Sequence, residues 1–269
     1  MHKEFAGMEN TVIANPMSLV GRTIVVTGAG QGIGKAIADL VIALGGNVVI
    51  ADMNPDTLAS AEAQYPDGRF LGVAVNIAQP EEVQSLVDRA VEKFGAVHGL
   101  VNNAGITRPA MMDKMTLDQW NQVLNVHLTG AFLCTQAVGR HMIERAKAGE
   151  ANPGAIVNVS SDAGVQGTIG QVNYATAKAG ILGMTMSTAR EWAKYNIRAN
   201  CVAFGVVVTP MTEVVRSEKF AETYISRIPL GRWSSAEEAA QPVCFLLSNA
   251  ASFITGQRIS ANGGMQMAC

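Results

Sequence analysis

The stretch Thr27-Gly28-Ala29-Gly30-Gln31-Gly32-Ile33-Gly34 decides the fold of this 269-residue chain. It follows an apolar run, residues 23–26, and precedes a segment with helical spacing of apolar residues that ends at Gly45-Gly46. We therefore predict a glycine-rich turn between a buried strand and an amphipathic helix. Glycines let the backbone approach phosphates closely, and the N–H groups of a helix N-terminus attract negative charge. The functional interpretation is a pyrophosphate site, and a tight turn without a ligand is the alternative.

An acidic residue ends the second apolar run, residues 47–51. Asp52 lies 18 residues after Gly34, close to the roughly 20-residue spacing at which a carboxylate binds the adenosine ribose in dinucleotide sites. This carboxylate would repel a 2′-phosphate, and neither Gln31 nor Met53 is a basic residue that could neutralise it. We therefore predict NAD rather than NADP as the cofactor. The alternative is that Asp52 caps the helix that follows.

The composition is that of a globular α/β protein. Hydrophobic residues make up 48% of the chain and charged residues 16%, and the net charge is −2. A chain of this length can bury a substantial core in one domain. The weak net charge, without a basic cluster, argues against nucleic acid as a partner. No apolar run reaches the roughly 18 residues of a membrane span, so we expect no membrane partner.

The N-terminal residues and the cysteines indicate in which cellular compartment the protein lies. Residues 1–17 lack the apolar core of a secretory signal, and we interpret them as a loose leader before a domain at 18–269. The four cysteines lie far apart and form no paired motif: Cys134, Cys201, Cys244 and Cys269. We therefore predict a cytoplasmic protein with reduced thiols, with neither disulfides nor a metal site.

Apolar runs alternate with helix-period segments along the rest of the chain. Strands are predicted near residues 23–26, 47–51, 69–75, 97–101, 155–159, 197–202 and 257–260. Further helices are predicted near residues 55–64, 80–94, 116–146, 172–192 and 236–247, with a polar joint near Asn121. This alternation predicts a doubly wound α/β fold, with a mostly parallel seven-stranded sheet and helices on both faces.

The connection at about 206–235 is long for a loop. It carries five large apolar or aromatic residues: Met211, Phe220, Tyr224, Ile225 and Trp233. Long segments at the carboxyl ends of strands often cover substrates. We interpret this segment as a substrate lid, and a pair of ordinary surface helices is the alternative.

Tyr174 and Lys178 lie four residues apart in a predicted helix, so their side chains share one face. A nearby ammonium favours the phenolate, and we expect it to lower the pKa of Tyr174 from its ordinary value near 10. That would make Tyr174 a proton carrier for an alcohol or carbonyl oxygen. Ser161 ends the fifth strand, where doubly wound sheets keep their sites, and its hydroxyl could bind the same oxygen. A turn or helix-cap serine is the alternative.

The order of these motifs resembles the short-chain dehydrogenase/reductase family. The matching features are the glycine-rich turn, the acid after the second strand, Asn102-Asn103-Ala104-Gly105, Ser161, and the Tyr174–Lys178 pair. The resemblance runs from about Leu19 to Met267, and the combination is far more specific than any single motif. It implies a single Rossmann domain and an oxidoreductase that moves hydride between a nicotinamide cofactor and a small-molecule secondary alcohol or ketone.

The resemblance implies a role for each matching position. Ser161 would orient the substrate oxygen, Tyr174 would transfer the proton, and Lys178 would bind the nicotinamide ribose and tune Tyr174. The positions implied to bind NAD are Gly28, Gln31, Gly32, Ile33, Asp52, Met53, Asn76, Ile77, Asn103, Ala104, Gly105, Tyr174, Lys178, Gly205, Val207 and Thr209. Related proteins are mostly tetramers, which implies a homotetramer here.

Three positions depart from the family pattern. His127 stands where the fourth catalytic residue is usually asparagine; a ring nitrogen could support a water chain to Lys178, and titration near pH 6.5 would add a pH dependence. Phe204 replaces a proline after the sixth strand and would place an aromatic ring near the nicotinamide pocket. Asn262 stands where aspartate is common.

The substrate is open at this point. The segments 228–232 and 262–265 are similar to 3-oxoacyl-(acyl-carrier-protein) reductases, which usually prefer NADPH. His127 and the acid after the second strand are instead similar to NAD-linked 3-hydroxyacyl-CoA dehydrogenases. A small cyclic alcohol or a sugar alcohol is the alternative substrate. A dinucleotide-sensing protein without chemistry is an alternative of another class, and the presence of Tyr174 and Lys178 argues against it.

Overall fold

Seven apolar segments form one parallel sheet in the computed structural model, which describes residues 15–66 and 68–267. The strands are β1 (Thr23–Thr27), β2 (Asn47–Asp52), β3 (Phe70–Ala74), β4 (Gly99–Asn102), β5 (Gly154–Ser161), β6 (Ile197–Phe204) and β7 (Arg258–Ala261). Their order is β3-β2-β1-β4-β5-β6-β7, and every neighbouring pair is parallel. The predicted doubly wound sheet is confirmed. The winding direction changes between β1 and β4, which opens a crevice at the carboxyl ends of these strands.

Helices cover both faces of this sheet. They are α1 (Gly32–Ala43), α2 (Pro55–Glu62), α3 (Pro80–Phe94), α4 (Leu117–Leu124), α5 (Ala131–Lys147), α6 (Ala163–Gln166), α7 (Val172–Trp192), α8 (Glu218–Ile225) and α9 (Ala236–Leu247). One core lies between the sheet and α1, α2 and α9, and a second core lies between the sheet and α3, α5 and α7. The sequence did not predict the short α6.

The first strand shows why the strands are continuous apolar runs. All five residues of β1 are buried. Ile24 and Val26 pack into the core beneath α1 and α9, whereas Val25 packs into the core beneath α3 and α5. Successive side chains of a strand point to opposite faces, so a strand that is covered on both sides is apolar at successive central positions, as β1 is at residues 24–26.

The helical region predicted at 116–146 is present, but the predicted position of its joint, near Asn121, is wrong. The structure has α4, then a π-helical turn at Asn125–Gly130, then α5. Gly130 in this turn faces Ile77, whose Cδ1 atom would lie 2.7 Å from a Cβ at position 130. Because this turn spans only six residues, it is shorter than the window of roughly 11–18 residues over which apolar periodicity is assessed, and the sequence pattern did not locate it.

The N-terminal boundary also differs from the prediction. Residues 1–14 of the predicted leader lie outside the described residues, as do Asp67, Ala268 and Cys269. Residues 15–17 fold against the segment after α9, where the Ala250 N–H donates to the Pro16 carbonyl at 3.0 Å. These three residues are therefore part of the domain.

The other three cysteines lie inside the domain. Cys134, Cys201 and Cys244 are free and buried, and burial raises the pKa of each thiol to about 12. They are therefore unreactive thiols at neutral pH. None of the helices in the described ranges combines the length and the hydropathy that crossing a bilayer requires.

Candidate active site

A cavity of about 360 Å³ lies at the carboxyl ends of the strands, and every residue predicted to bind cofactor or to act in catalysis lines it. The contributing groups are the turn after β1 (Gly28, Gln31, Gly32, Ile33), the ends of β2 and β3 (Asp52, Met53, Asn76, Ile77), the segment after β4 (Asn103, Ala104, Gly105), the π-helical turn (His127), the end of β5 (Ser161), α7 (Tyr174, Lys178) and the segment after β6 (Gly205, Val207, Thr209). The chain therefore gathers the predicted residues around one space.

The glycine-rich turn forms the floor of one end of the cavity. Gly28 has φ +64°, and a Cβ there would lie 2.7 Å from the Cα of Ala104. Gly32 has φ +58° and opens α1. Among residues 15–66 and 68–267 no side chain caps this helix, and its first turn holds no acidic residue. The free N–H groups and the close backbone therefore fit the pyrophosphate of a dinucleotide.

Asp52 connects the end of β2 to the glycine-rich turn. Its Oδ2 accepts a hydrogen bond from the Gly30 N–H at 2.9 Å, and its Oδ1 accepts one from the Asn54 N–H at 3.1 Å. The cap of α2 is Asn54, so the alternative role for Asp52 as that cap is wrong. Lys35 is paired with Asp39 at 2.8 Å on the surface of α1. Lys35 therefore does not neutralise the Asp52 carboxylate at this end of the cavity.

Asn103 ties the ends of β1 and β4 together. Its Nδ2 donates to the carbonyl oxygens of Thr27 and Gly28, both at 3.0 Å, and its own N–H donates to the Thr27 hydroxyl at 3.0 Å. The neighbouring Asn102 is turned inwards, where its Nδ2 donates to Asn158 at 2.8 Å. Asn103 thus holds β1 and β4 together at the crevice, and Asn102 links β4 to β5.

Three polar side chains from β5 and α7 meet at the other end of the cavity. Ser161 is the last residue of β5, and Tyr174 and Lys178 lie one turn apart on α7. The Lys178 Nζ donates to the Val159 carbonyl at 2.7 Å and lies 5.6 Å from the centre of the Tyr174 ring. Lys178 is buried, and burial lowers its pKa to about 8. A hydroxyl, a phenol and an amine therefore face the same space.

The predicted direction of the Tyr174 pKa is wrong. Burial raises this pKa above its ordinary value, and the hydrogen bond with Ser161 opposes the rise. The Lys178 ammonium donates to a backbone carbonyl, and burial lowers its own pKa to about 8. Desolvation of the phenolate therefore outweighs the attraction that the spacing of the two residues suggested.

His127 lies in the π-helical turn with its ring edge-on to Tyr174, at 5.2 Å between ring centres. Its Nε2 is bonded to the backbone of Ile106, 2.8 Å from the carbonyl oxygen and 3.0 Å from the nitrogen. Burial, reinforced by the charge of Lys178, lowers the pKa of His127 to about 3. The predicted titration near pH 6.5 is therefore wrong, and the ring is neutral at physiological pH.

Sequence reasoning missed a buried asparagine that holds this end of the site. The Asn173 Nδ2 donates to the carbonyl oxygens of Arg108 and Gln119, both at 3.0 Å, and its Oδ1 accepts the Tyr174 N–H at 2.8 Å. It thereby joins α7 to the segment after β4 and to α4. The signal in the sequence is a polar residue directly before the tyrosine, at a position where the helix is buried.

The departures at positions 204 and 262 have structural consequences. Phe204 lines the cavity but is only 4% exposed, because its ring packs into the core beneath α1 and α9. Gly205 follows it, and a Cβ there would lie 3.0 Å from the Cβ of Asn262. The exit of β6 therefore rests against the segment after β7.

The segment 206–235 lies along the cavity and contains a 3₁₀ turn at Pro210–Thr212 and then α8. Thr209 and Met211 line the cavity. Arg216 holds the 3₁₀ turn in place, because its NH2 group donates to the Thr209 carbonyl at 3.0 Å. Met211 and Val214 are 50% and 71% exposed. Met211 thus presents an exposed apolar side chain at the cavity wall.

Comparisons with known proteins agree with this arrangement. The sequence family described as enoyl-(acyl carrier protein) reductase matches residues 28–266. A 3-oxoacyl-[acyl-carrier-protein] reductase of Thermotoga maritima is 43% identical over 251 residues, which is 93% of this chain and 99% of the relative. A protein of the same description from Aquifex aeolicus is 41% identical over 253 residues, with the same shares covered.

A solved structure gives the same result for the fold. The crystal structure of a short-chain dehydrogenase/reductase, described as glucose/ribitol dehydrogenase, from Brucella melitensis superposes with a TM-score of 0.86 at 31% identity. The match covers 93% of this chain and 99% of that one. The chain is therefore an oxidoreductase that belongs to the short-chain dehydrogenase/reductase family.

Proposed function

We propose that this protein is an NAD(H)-dependent oxidoreductase that interconverts 3-oxoacyl and 3-hydroxyacyl thioesters. The observation that carries the proposal is the single cavity with Asp52 and the uncapped end of α1 at one end and Ser161, Tyr174 and Lys178 at the other. The two ends correspond to the adenosine and nicotinamide ends of a dinucleotide. The relatives described as 3-oxoacyl-[acyl-carrier-protein] reductases support the substrate class.

Three polar side chains have separate roles in the proposed ketone reduction. When bound, NADH supplies the hydride that adds to the carbonyl carbon. Ser161 holds the carbonyl oxygen, and Tyr174 donates its phenolic proton to that oxygen as the alcohol forms. Because burial raises its pKa, Tyr174 carries this proton at neutral pH, which suits a general acid. Lys178, whose Nζ donates to the Val159 carbonyl, would hold the nicotinamide ribose.

His127 supports this machinery as a neutral side chain. It fixes Ile106 at the cavity wall and packs against the edge of Tyr174. Its Nδ1 is buried and has no hydrogen-bond partner among the described residues. We assign that nitrogen to a water on the proton path to Lys178.

The preference for NAD rests on the charge at the adenosine end. The Asp52 carboxylate would accept hydrogen bonds from the ribose hydroxyls and repel a 2′-phosphate. Lys35 is engaged by Asp39. The residue after the acid is Met53, which is 68% exposed and offers no positive charge.

The preference for an acyl substrate rests on exposed aliphatic side chains in the segments that follow β5 and β6. Val165 and Ile169 lie between Ser161 and Tyr174 along the chain and are 36% and 88% exposed, and Met211 on the cavity wall is also exposed. These aliphatic side chains suit an acyl chain. We propose that the segment 206–235 is the lid that covers it.

A sugar or small cyclic alcohol is the second candidate, and the description of the Brucella melitensis structure as a glucose/ribitol dehydrogenase favours it. A sugar substrate would need polar partners for its hydroxyl groups. The exposed aliphatic side chains of Val165, Ile169 and Met211 supply none, which is why we place this candidate second.

The test of the function is a turnover assay with three substrates: acetoacetyl-CoA, cyclohexanone and ribitol. Each is offered with NADH or NADPH, or with the oxidised forms for ribitol. We expect kcat/KM for acetoacetyl-CoA with NADH to exceed every other combination by at least about tenfold. Faster oxidation of ribitol would favour the second candidate. NADH binding without turnover of any substrate would contradict an enzymatic role.

The assembly is a separate proposal. We propose a homotetramer built through the two long helices, as is common in related proteins. Phe132 on α5 and Met186 on α7 support it, because these apolar side chains are 49% and 52% exposed in the single chain.

A further inference from the structure

We propose that a buried Asp162–Asn262 pair positions the Ser161 hydroxyl, and that residue 262 has to be an amide because residue 162 is an acid. The inference rests on the proposed function, since its main readout is turnover. Asp162 and Asn262 are 4% and 8% exposed. The Asn262 Nδ2 donates to the Asp162 Oδ1 at 2.8 Å, which joins the end of β5 to the segment after β7.

Asp162 fixes the backbone on both sides of the turn that leaves β5. Its N–H donates to the Phe204 carbonyl at 3.0 Å, and its carbonyl accepts the N–H groups of Val165 and Gln166 at 2.9 and 3.0 Å. The first bond extends the pairing of β5 with β6, and the other two start α6. Ser161 directly precedes this residue, so its backbone direction is set by the same turn.

The Asn262 amide has one possible orientation. Its Nδ2 also donates to the Gln266 carbonyl at 2.9 Å, and its Oδ1 accepts the Gly264 N–H at 3.0 Å. The reversed amide would place oxygen against two acceptors and nitrogen against a donor. Both the Nδ2 and the Oδ1 of Asn262 therefore already have hydrogen-bond partners.

The turn held by this pair is also in contact with the reactive groups. The Ser161 Oγ accepts the Ala163 N–H at 3.2 Å. α6 packs against α7 so closely that a Cβ on Gly164 would lie 2.6 Å from the carbonyl carbon of Lys178. The turn after β5 is thus clamped between α7 on one side and the segment after β7 on the other. A shift of Asp162 would move the Ser161 hydroxyl relative to Tyr174 and Lys178.

Charge explains why aspartate does not fit at position 262. Burial raises the pKa of Asp162, while the bond from Asn262 and the charge of Arg258 on β7 oppose the rise. Aspartate at position 262 would replace the 2.8 Å hydrogen bond with a contact between two buried carboxylates. Two such groups cannot both be ionised, so one would take up a proton or the pair would separate.

The test is a cycle of three variants: N262D, D162N and the exchange D162N/N262D. For each we measure kcat and KM with acetoacetyl-CoA and NADH across pH, and the unfolding temperature across the same range. D162N keeps an oxygen that accepts the bond, so its kcat stays within about threefold of wild type. N262D loses at least about tenfold in kcat near pH 8 and recovers toward pH 5.5 as the carboxyl pair binds a proton.

The exchanged pair restores the bond between residues 162 and 262 with donor and acceptor reversed, although, like N262D, it still lacks the bond from residue 262 to the Gln266 carbonyl. We expect its kcat to return to within about fivefold of wild type and its pH profile to be that of wild type. We expect stability to change in the same way as kcat. The carboxyl pair of N262D has a higher pKa in the folded state than in the unfolded state. The unfolding temperature of N262D therefore falls relative to wild type as pH rises. An N262D variant with an unchanged kcat and pH profile would overturn the inference. If the exchange restored the unfolding temperature but not kcat, the inference would also be overturned, because the pair would then have only a structural role.

Failure of the proposed function is distinguishable from failure of this inference. If the wild type turns over no ketone, the function is wrong, and the unfolding temperatures test the pair alone. A pH-dependent loss of stability in N262D that the exchange reverses then supports the pairing. Equal unfolding temperatures for all four proteins at every pH would refute it.

Discussion

Replacing Tyr174 with phenylalanine is expected to lower kcat for ketone reduction by at least about 100-fold, within the range for loss of a general acid. The variant lacks the one hydroxyl that we assign to proton donation. The ring itself is retained, so its edge-on packing against His127, at 5.2 Å between ring centres, is preserved. We therefore expect the dissociation constant for NADH, measured by fluorescence titration, to stay within about twofold of wild type.

The matched control for this variant is Y195F. Tyr195 lies beyond α7, packs beside the core beneath α3 and α5, and does not line the cavity. Removal of its hydroxyl should leave kcat unchanged. A Y174F variant with the rate of wild type would show that another group donates the proton. Equal losses in Y174F and Y195F would indicate that packing rather than proton donation is measured.

Replacing Asp52 with asparagine is expected to shift the ratio of kcat/KM for NADH over NADPH by about 100-fold or more toward NADPH. Two effects add: the ribose loses a charged acceptor, and a 2′-phosphate no longer meets a like charge. Asparagine keeps an oxygen that can accept the Gly30 N–H, which is bonded to Asp52 at 2.9 Å. The glycine-rich turn should therefore keep its shape.

The control for the Asp52 variant is D56N. Asp56 lies in the first turn of α2, carries the same charge as Asp52, and is not part of the cavity wall. Its replacement removes a negative charge from the same region without touching the cofactor. We expect the NADH/NADPH ratio to change by less than about threefold. The assigned role of Asp52 is wrong if D52N and D56N behave alike, or if the wild type uses NADPH as well as NADH.

The sequence was sufficient to predict the parts of the site that depend on strand ends. A parallel sheet brings the carboxyl ends of its strands to one edge, so the residues after β1, β2, β4 and β5 had to meet. The glycine-rich turn marked the crevice. Asp52, Ser161 and Asn103 were assigned to the site because each lies within two residues of the end of an apolar run.

The properties that depend on three-dimensional surroundings could not be predicted. The neutral state of His127 depends on its burial in the π-helical turn and on the nearby charge of Lys178, which together lower its pKa. The raised pKa of Tyr174 is a desolvation effect, and residue spacing contains no information on desolvation. The bond between residues 162 and 262 joins positions 100 residues apart. Local periodicity and short motifs cannot detect such a contact.

The central claim is that one dinucleotide spans the cavity from Asp52 to Tyr174. A crystal structure with bound NAD tests this claim most directly. We predict that the adenosine ribose hydroxyls lie within hydrogen-bonding distance of the Asp52 carboxylate, about 3 Å, and that the nicotinamide ring faces Ser161 and the Tyr174 oxygen. A cofactor bound in the opposite direction, or a Tyr174 oxygen separated from the nicotinamide ring by protein, would contradict the account.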